Sequence, residues 1–275
     1  ILYGIVVFFL ALHLAKYGFD KLFKHQFYFP EPNTLYTPLG YLDKDILYWS
    51  TIGSSYSYNV AMGIVELVPA FLLLFRRTRL LGGLIALGIM LHIVVLNFSF
   101  DISVKAHSTM LLLAAILIIS PWFSALYNFF FLQKSQDMPA FYQTKISKLF
   151  TIIALLLVLL ESLFPFVKSG NYNGDNIQKL ALHGAYKVVE QRGDAPQIKR
   201  LFVHKNYYLI AQFPNDSMRD SHFTWGWNDT VPYFDLGKNG VLLQKWSPED
   251  STLSLEGVLW GDSVFVRCQV IPARP

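Results

Sequence analysis

The sequence predicts an integral membrane bundle of about five α-helices, followed by an extramembrane all-β barrel or sandwich domain. Three observations carry this. Only 15% of the 275 residues are charged, against about 25% in an average soluble domain. The deficit is uneven, because residues 1–131 and 149–167 hold nearly all the long apolar runs. From about Lys179 the apolar residues stop arriving in blocks and begin to alternate, which is the period of a strand. The predicted domains are therefore residues 1–167 in the membrane and 168–275 outside it.

A helix needs about 20 mostly apolar residues to cross the hydrocarbon core. The first candidate runs from Ile1 to about Phe19 and is closed by Asp20, Lys21 and Lys24. Because Ile1 already stands in an apolar run with no charged region before it, the start reads as a truncated first span rather than a signal peptide. The second covers about 56–75 and stops at Arg76, Arg77 and Arg79. The third covers about 80–100, and the fourth about 109–131, with Pro121 as a predicted kink. The fifth covers about 149–167.

Lys and Arg in short loops set orientation. The turn with Arg76, Arg77 and Arg79 has no acid, and the loop before the fifth span carries Lys134, Lys145 and Lys148 against Asp137. Both are expected in the cytoplasm of a bacterial inner (cytoplasmic) membrane, which puts the β domain in the periplasm. The loop 20–55 is balanced in charge and rich in aromatics and proline, so it is expected outside, either along the headgroups or as a lid over the bundle.

In the C-terminal part, 185–189, 200–204, 207–213, 222–227, 233–236, 240–246, 252–255 and 263–271 are strand candidates separated by turn residues such as Arg192-Gly193-Asp194 and Gly261-Asp262. Trp225, Trp227 and Trp246 read either as core or as the lining of a ligand cup. The single cysteine, Cys268, excludes an intramolecular disulfide and reads as a small buried hydrophobe.

A net charge of +4, scattered between helices, gives no footprint for nucleic acid. The expected partners are the lipid bilayer and other proteins of a membrane complex. Ionisable groups within spans are expensive and mark polar interiors. Here they are His13, Lys16, Glu66, His92 and Asn97, then Asp101, Lys105 and His107 at the outer end of the third span and the start of the fourth, with Glu161 in the last span. At 1.5 Å per residue Glu66 lies about 15 Å from one boundary and His92 about 18 Å from the other, so the two share a depth. His13, Lys16, Lys21, Glu66, His92, Asn97, Asp101, Lys105 and His107 form the candidate polar pocket, in the outer half of the membrane. It either consists of internal pairs that fix packing, or relays protons or binds a quinone head group. A metal site from His13, His92 and His107 lacks a helical His-x3-His pair, so no metal is expected. No catalytic residue is assigned.

The stretches Tyr17-Gly18-Phe19-Asp20-Lys21-Leu22-Phe23 and Gly63-Ile64-Val65-Glu66-Leu67-Val68-Pro69, running on to Arg76-Arg77, resemble the DoxX family of membrane proteins. The resemblance covers residues 1–132, and the β domain is not part of the core family. It implies a redox-associated subunit: DoxX-like proteins include a small subunit of a thiosulfate:quinone oxidoreductase and members tied to thiol stress. A more distant resemblance is to the membrane domain of vitamin K-dependent carboxylases. Lys21 and Glu66 are the residues that match family positions, and quinone is the candidate cofactor. The alternative is a non-enzymatic anchor or assembly subunit of a cell-envelope complex, docking through the β domain and the long loop.

Overall fold

The computed structural model describes residues 2–134, 145–177, 179–228, 231–247, 249 and 251–272. They form two compact units, Ile1–Phe29 with Asp43–Ile177, and Pro30–Leu42 with Gln178–Pro275. The first is helical and contains five helices or helix pairs long and apolar enough to cross a membrane. The second contains nine antiparallel strands in a barrel-like sheet. The composition break at Val167 precedes the boundary between units, because the last helix and its following turn stay with the bundle.

The helices are α1 (Leu2–Leu22), α2 (Pro32–Leu35), α3 (Lys44–Gly53), α4 (Tyr56–Leu74), α5 (Arg79–Ser99), α6 (Lys105–Ile119), α7 (Phe123–Leu132) and α8 (Lys145–Ser169). Ser55 caps α4 by accepting a hydrogen bond from the Tyr58 N–H. At the other end of α4, Arg79 is buried. Its Nε donates to the Leu73 carbonyl at 2.9 Å and Nη2 to that of Leu74 at 3.4 Å, which satisfies orphan carbonyls of the last turn. One of the three arginines read as a topology signal is thus also a helix cap.

Pro121 does more than kink the fourth span. It lies in a 3-10 turn, Ser120–Trp122, between α6 and α7. Proline removes the N–H that the Leu117 carbonyl would accept from, and Ser120 Oγ donates to that carbonyl instead, at 2.9 Å. The Tyr3 hydroxyl donates to the neighbouring Ile118 carbonyl at 2.9 Å, so the break leaves both carbonyls satisfied.

In the second unit the strands are β1 (Gly184–Gly193), β2 (Arg200–His204), β3 (Tyr208–Gln212), β4 (Met218–His222), β5 (Thr224–Asn228), β6 (Val231–Asp235), β7 (Val241–Ser247), β8 (Thr252–Leu259) and β9 (Asp262–Ile271). Their spatial order is β4-β3-β2-β1-β9-β8-β7-β6-β5. Every neighbouring pair is antiparallel, so following the directions round makes β4 and β5 run the same way. Only Phe223 separates them in sequence. They are two halves of one bent strand that passes from β3 to β6, which curls the sheet into its barrel. Phe223 is buried at the corner, its ring 4.7 Å from that of Phe234.

Alternation fills the interior with Tyr186, Leu201, Val203, Leu209, Leu253, Leu255, Val266 and Cys268. Burial pushes the Cys268 thiol up to about 12, as for a thiol that packs as a hydrophobe. Trp225 and Trp246 pack against this core, while Trp227 stays exposed.

The outward residues Ala185, Phe202 and Ile210 form a second cluster with Tyr36. The middle of the long loop therefore belongs to the β unit. Tyr36 donates to the Pro272 carbonyl at 2.8 Å and stacks beneath the Arg200 guanidinium. Glu31 accepts from His183 Nε2 at 2.7 Å and pairs with Lys205 at 3.2 Å. Burial alone would raise the Glu31 carboxyl, but the His183 hydrogen bond and the charges of His204, Lys205 and His183 outweigh it and hold the pKa at about 2.

Candidate functional site

The site grows from the crossing of α1 and α4. A side chain on Gly63 would place Cβ 2.7 Å from the Gly18 carbonyl and 2.8 Å from the Leu22 N–H nitrogen. Only glycine lets the backbones meet there. That approach brings Lys21, one turn beyond Gly18, to Glu66, one turn beyond Gly63. Lys21 Nζ donates to Glu66 Oε2 at 2.8 Å, with 5% and 4% of the side chains exposed. The Tyr17 and Phe27 rings lie 5.5 and 5.7 Å from the ammonium, close enough for a cation–π contribution.

The α4–α5 hairpin is tight at its turn, where a Cβ on Gly82 would fall 2.8 Å from the Leu72 Cβ. Toward the other end a cavity of about 460 Å³ lies between the two helices, backed by α1 and α6 and bordered by α3. This volume is in the range of small-molecule pockets. Lys21 and Glu66 form part of its wall, and Tyr48 and Trp49 of α3 line it as well. Val65, Gly88 and His92 line it and are exposed, all in mid-helix. The opening is therefore lateral, through the flank of the bundle.

Two polar atoms on this wall have no partner: the Nδ2 of Asn97, a residue only 5% exposed, and the Oε1 of Gln26. Buried polar groups are normally satisfied, and each exception calls for an explanation. One donor and one acceptor stand here beside an ammonium and a carboxylate. A guest offering both acceptor and donor oxygens would complete them.

Of the nine residues of the candidate pocket, Lys21, Glu66, His92, Asn97 and His107 line the cavity. His13 lies behind it, its ring 5.0 Å from that of His107 and its Nδ1 2.8 Å from the Phe9 carbonyl oxygen. Lys16 turns away to pair with Glu161 on α8. Asp101 and Lys105 pair with each other on the surface at the start of α6. Lys16 is thus not the partner of Glu66 or His92 that an internal packing pair would need.

Gly88 is not packed against a neighbouring helix, since a Cβ there meets nothing within 4 Å. It borders the cavity instead. Sequence reasoning passed over Tyr17 and Tyr58, which share helical stripes with Lys21 and Glu66 and could have been found by that periodicity. Gln26 sits in a loop, with no pattern to reveal it. Among the described residues, no group of three or more His, Cys, Asp or Glu could hold a metal ion.

No family model matches the chain, and no solved structure matches it. Over 71 residues it is 37% identical to YwoB, an uncharacterised protein of Bacillus subtilis (strain 168). The match covers 26% of this chain and 46% of that protein, so the chain spans about half the length of the relative.

Proposed function

We propose that the chain is a DoxX-like multi-pass protein of a bacterial inner membrane, with its β unit in the periplasm, and that its cavity receives a quinone head group from the lipid. The observation that carries the reading is the Lys21–Glu66 pair on the wall of a laterally open cavity, beside the unpartnered Asn97 Nδ2 and Gln26 Oε1. A quinone carbonyl accepts from Asn97 and Lys21. The hydroxyl of the reduced form donates to Gln26 or Glu66. The aromatic rings of Tyr17, Phe27, Tyr48 and Trp49 suit a flat ring, and the opening between α4 and α5 leaves an isoprenoid tail in the bilayer.

The chemistry assigned to this chain is binding and proton delivery. Reduction of a quinone takes two electrons and two protons. The electrons come from a redox partner in the same membrane complex, and the Glu66–Lys21 pair stands where protons would be given to or taken from the ring oxygens. The expected periplasmic side follows from the basic residues Arg76, Arg77, Lys145 and Lys148 at the opposite ends of the helices.

The test is extraction of the protein in mild detergent and quantification of quinone per chain. Near-stoichiometric quinone in the wild type, and a several-fold loss in Asn97→Leu with unchanged yield, are expected. A wild type that carries no quinone and whose Trp emission is not quenched by an added short-chain quinone would sink the proposal.

A further inference from the structure

The Lys16–Glu161 ion pair is left over by the cavity. Its atoms are 3.3 Å apart, yet 43% of the Lys16 side chain and 60% of the Glu161 side chain are exposed. On α8, Lys148 and Lys168 bracket an apolar stretch about 30 Å long, the thickness of the hydrocarbon core. Glu161 is seven residues short of Lys168, hence about 10 Å inside. A glutamate is too short to reach the interface from there. Lys16 is held at the same depth by the pair itself. Around them the α8 surface is bare and apolar, with Leu157 and Phe164 exposed one turn to either side of Glu161.

Charges facing lipid at this depth are costly, and in membrane proteins they face protein or water. We infer that this face of α1 and α8 is the interface of a parallel homodimer, in which Lys16 and Glu161 of two copies close into a ring of four alternating charges. The geometry favours a second copy over a different helix. Two copies insert in the same orientation, so their symmetry axis runs along the membrane normal and equal depths meet. One positive and one negative group side by side at one depth are self-complementary about such an axis. A partner helix with a single charge would answer one of them and leave the other facing lipid.

Cysteine crosslinking of the full chain in native membranes tests this. The native thiol, Cys268, is sealed in the barrel interior and stays in place. Leu157→Cys and Phe164→Cys are expected to give covalent dimers several-fold more than Leu117→Cys, a position on α6 at least as exposed as either. In the Leu157→Cys background, Lys16→Glu alone and Glu161→Lys alone are each expected to lose the dimer. Co-expressing the two differently tagged charge variants should restore crosslinking between them, although the pair within each copy remains broken. A purely internal role cannot produce that rescue. Absent crosslinks, equal crosslinking at Leu117→Cys, or failure of the co-expressed variants to pair overturns the inference. So does a product of any mass other than two copies, which would assign the face to another protein, or a monomer retaining phospholipid on this face.

Discussion

Lys21 and Glu66 stand 2.8 Å apart where α1 and α4 cross, almost wholly out of solvent. Two charges so placed are stable only as a pair. Removing one leaves the other buried and uncompensated, a loss of about 3–5 kcal/mol, whereas replacing both with apolar residues of similar volume is often neutral. Glu66→Ala is therefore expected to unfold at markedly lower temperature in detergent, and Lys21→Met/Glu66→Met to recover most of the difference. A double variant no more stable than the single would show that the loss comes from the intact pair's own net contribution and not from a stranded lysine. The double variant should still lose quinone, which separates the role in binding from the role in packing.

Two glycines of the bundle should respond oppositely to substitution. At Gly63 a methyl group would press on the backbone of Gly18 and Leu22, and backbone cannot rotate aside as a side chain can. Gly63→Ala is expected to cost about 1–3 kcal/mol, the usual range for overpacking, and to loosen the Lys21–Glu66 contact. At Gly88 the methyl meets open space, and alanine is the better helix former by about 1 kcal/mol. Gly88→Ala should be neutral or stabilising. Gly88→Leu should narrow the mouth of the cavity and lower quinone content at unchanged thermal stability. Parallel melting curves and quinone assays read both effects.

The β unit should carry an acid-sensitive contribution from Glu31. Its folded pKa of about 2 lies below its ordinary value of 4.5, so the folded state binds the proton less readily than the unfolded chain. The stabilisation is fully present above pH 4.5, declines as pH falls, and is gone below about 2. The gap between the two values corresponds to about 3 kcal/mol at most. Glu31→Gln should therefore melt below the wild type at pH 7, with the two curves converging toward pH 2. A gap that persists unchanged at pH 2 would mean that Glu31 acts through packing and not through charge.

Periodicity made the helices and most strands legible, because burial writes a 3.6- or 2-residue rhythm into the chain. The spans end within a few residues of where hydropathy puts them, and strand β2 lies at 200–204 as its alternation predicts. β4, Met-Arg-Asp-Ser-His, escaped notice because all but Ser221 of its residues stay outside the core, so it carries no apolar rhythm. The depth of Glu66 was legible from counting along the helix, but its partner was not. Lys16 and Lys21 both lie within reach in sequence terms, and the Gly18–Gly63 contact, a property of two helices together, decides between them. Pro30–Leu42 reads as an aromatic loop of the bundle, and its packing on β1–β3 depends on the outward residues Phe202 and Ile210, whose burial a half-exposed strand pattern does not announce.

The bent strand gives a last prediction, in which two aromatic residues four positions apart behave differently. Phe223 is the single residue between β4 and β5, 1% exposed, with its N–H donating to the Tyr207 carbonyl and its ring against Phe234. It plugs the barrel where the strand changes neighbours, so truncation opens a cavity at the corner where β4 passes into β5. Phe223→Ala is expected to cost about 3–5 kcal/mol and to expose the barrel core, read as dye binding and early loss of near-ultraviolet circular dichroism. Trp227, on β5, points outward and is exposed, so Trp227→Ala should stay within about 0.5 kcal/mol of the wild type. If the two substitutions were equally mild, β4 and β5 would be independent edges rather than one strand, and the barrel would not depend on the corner for closure.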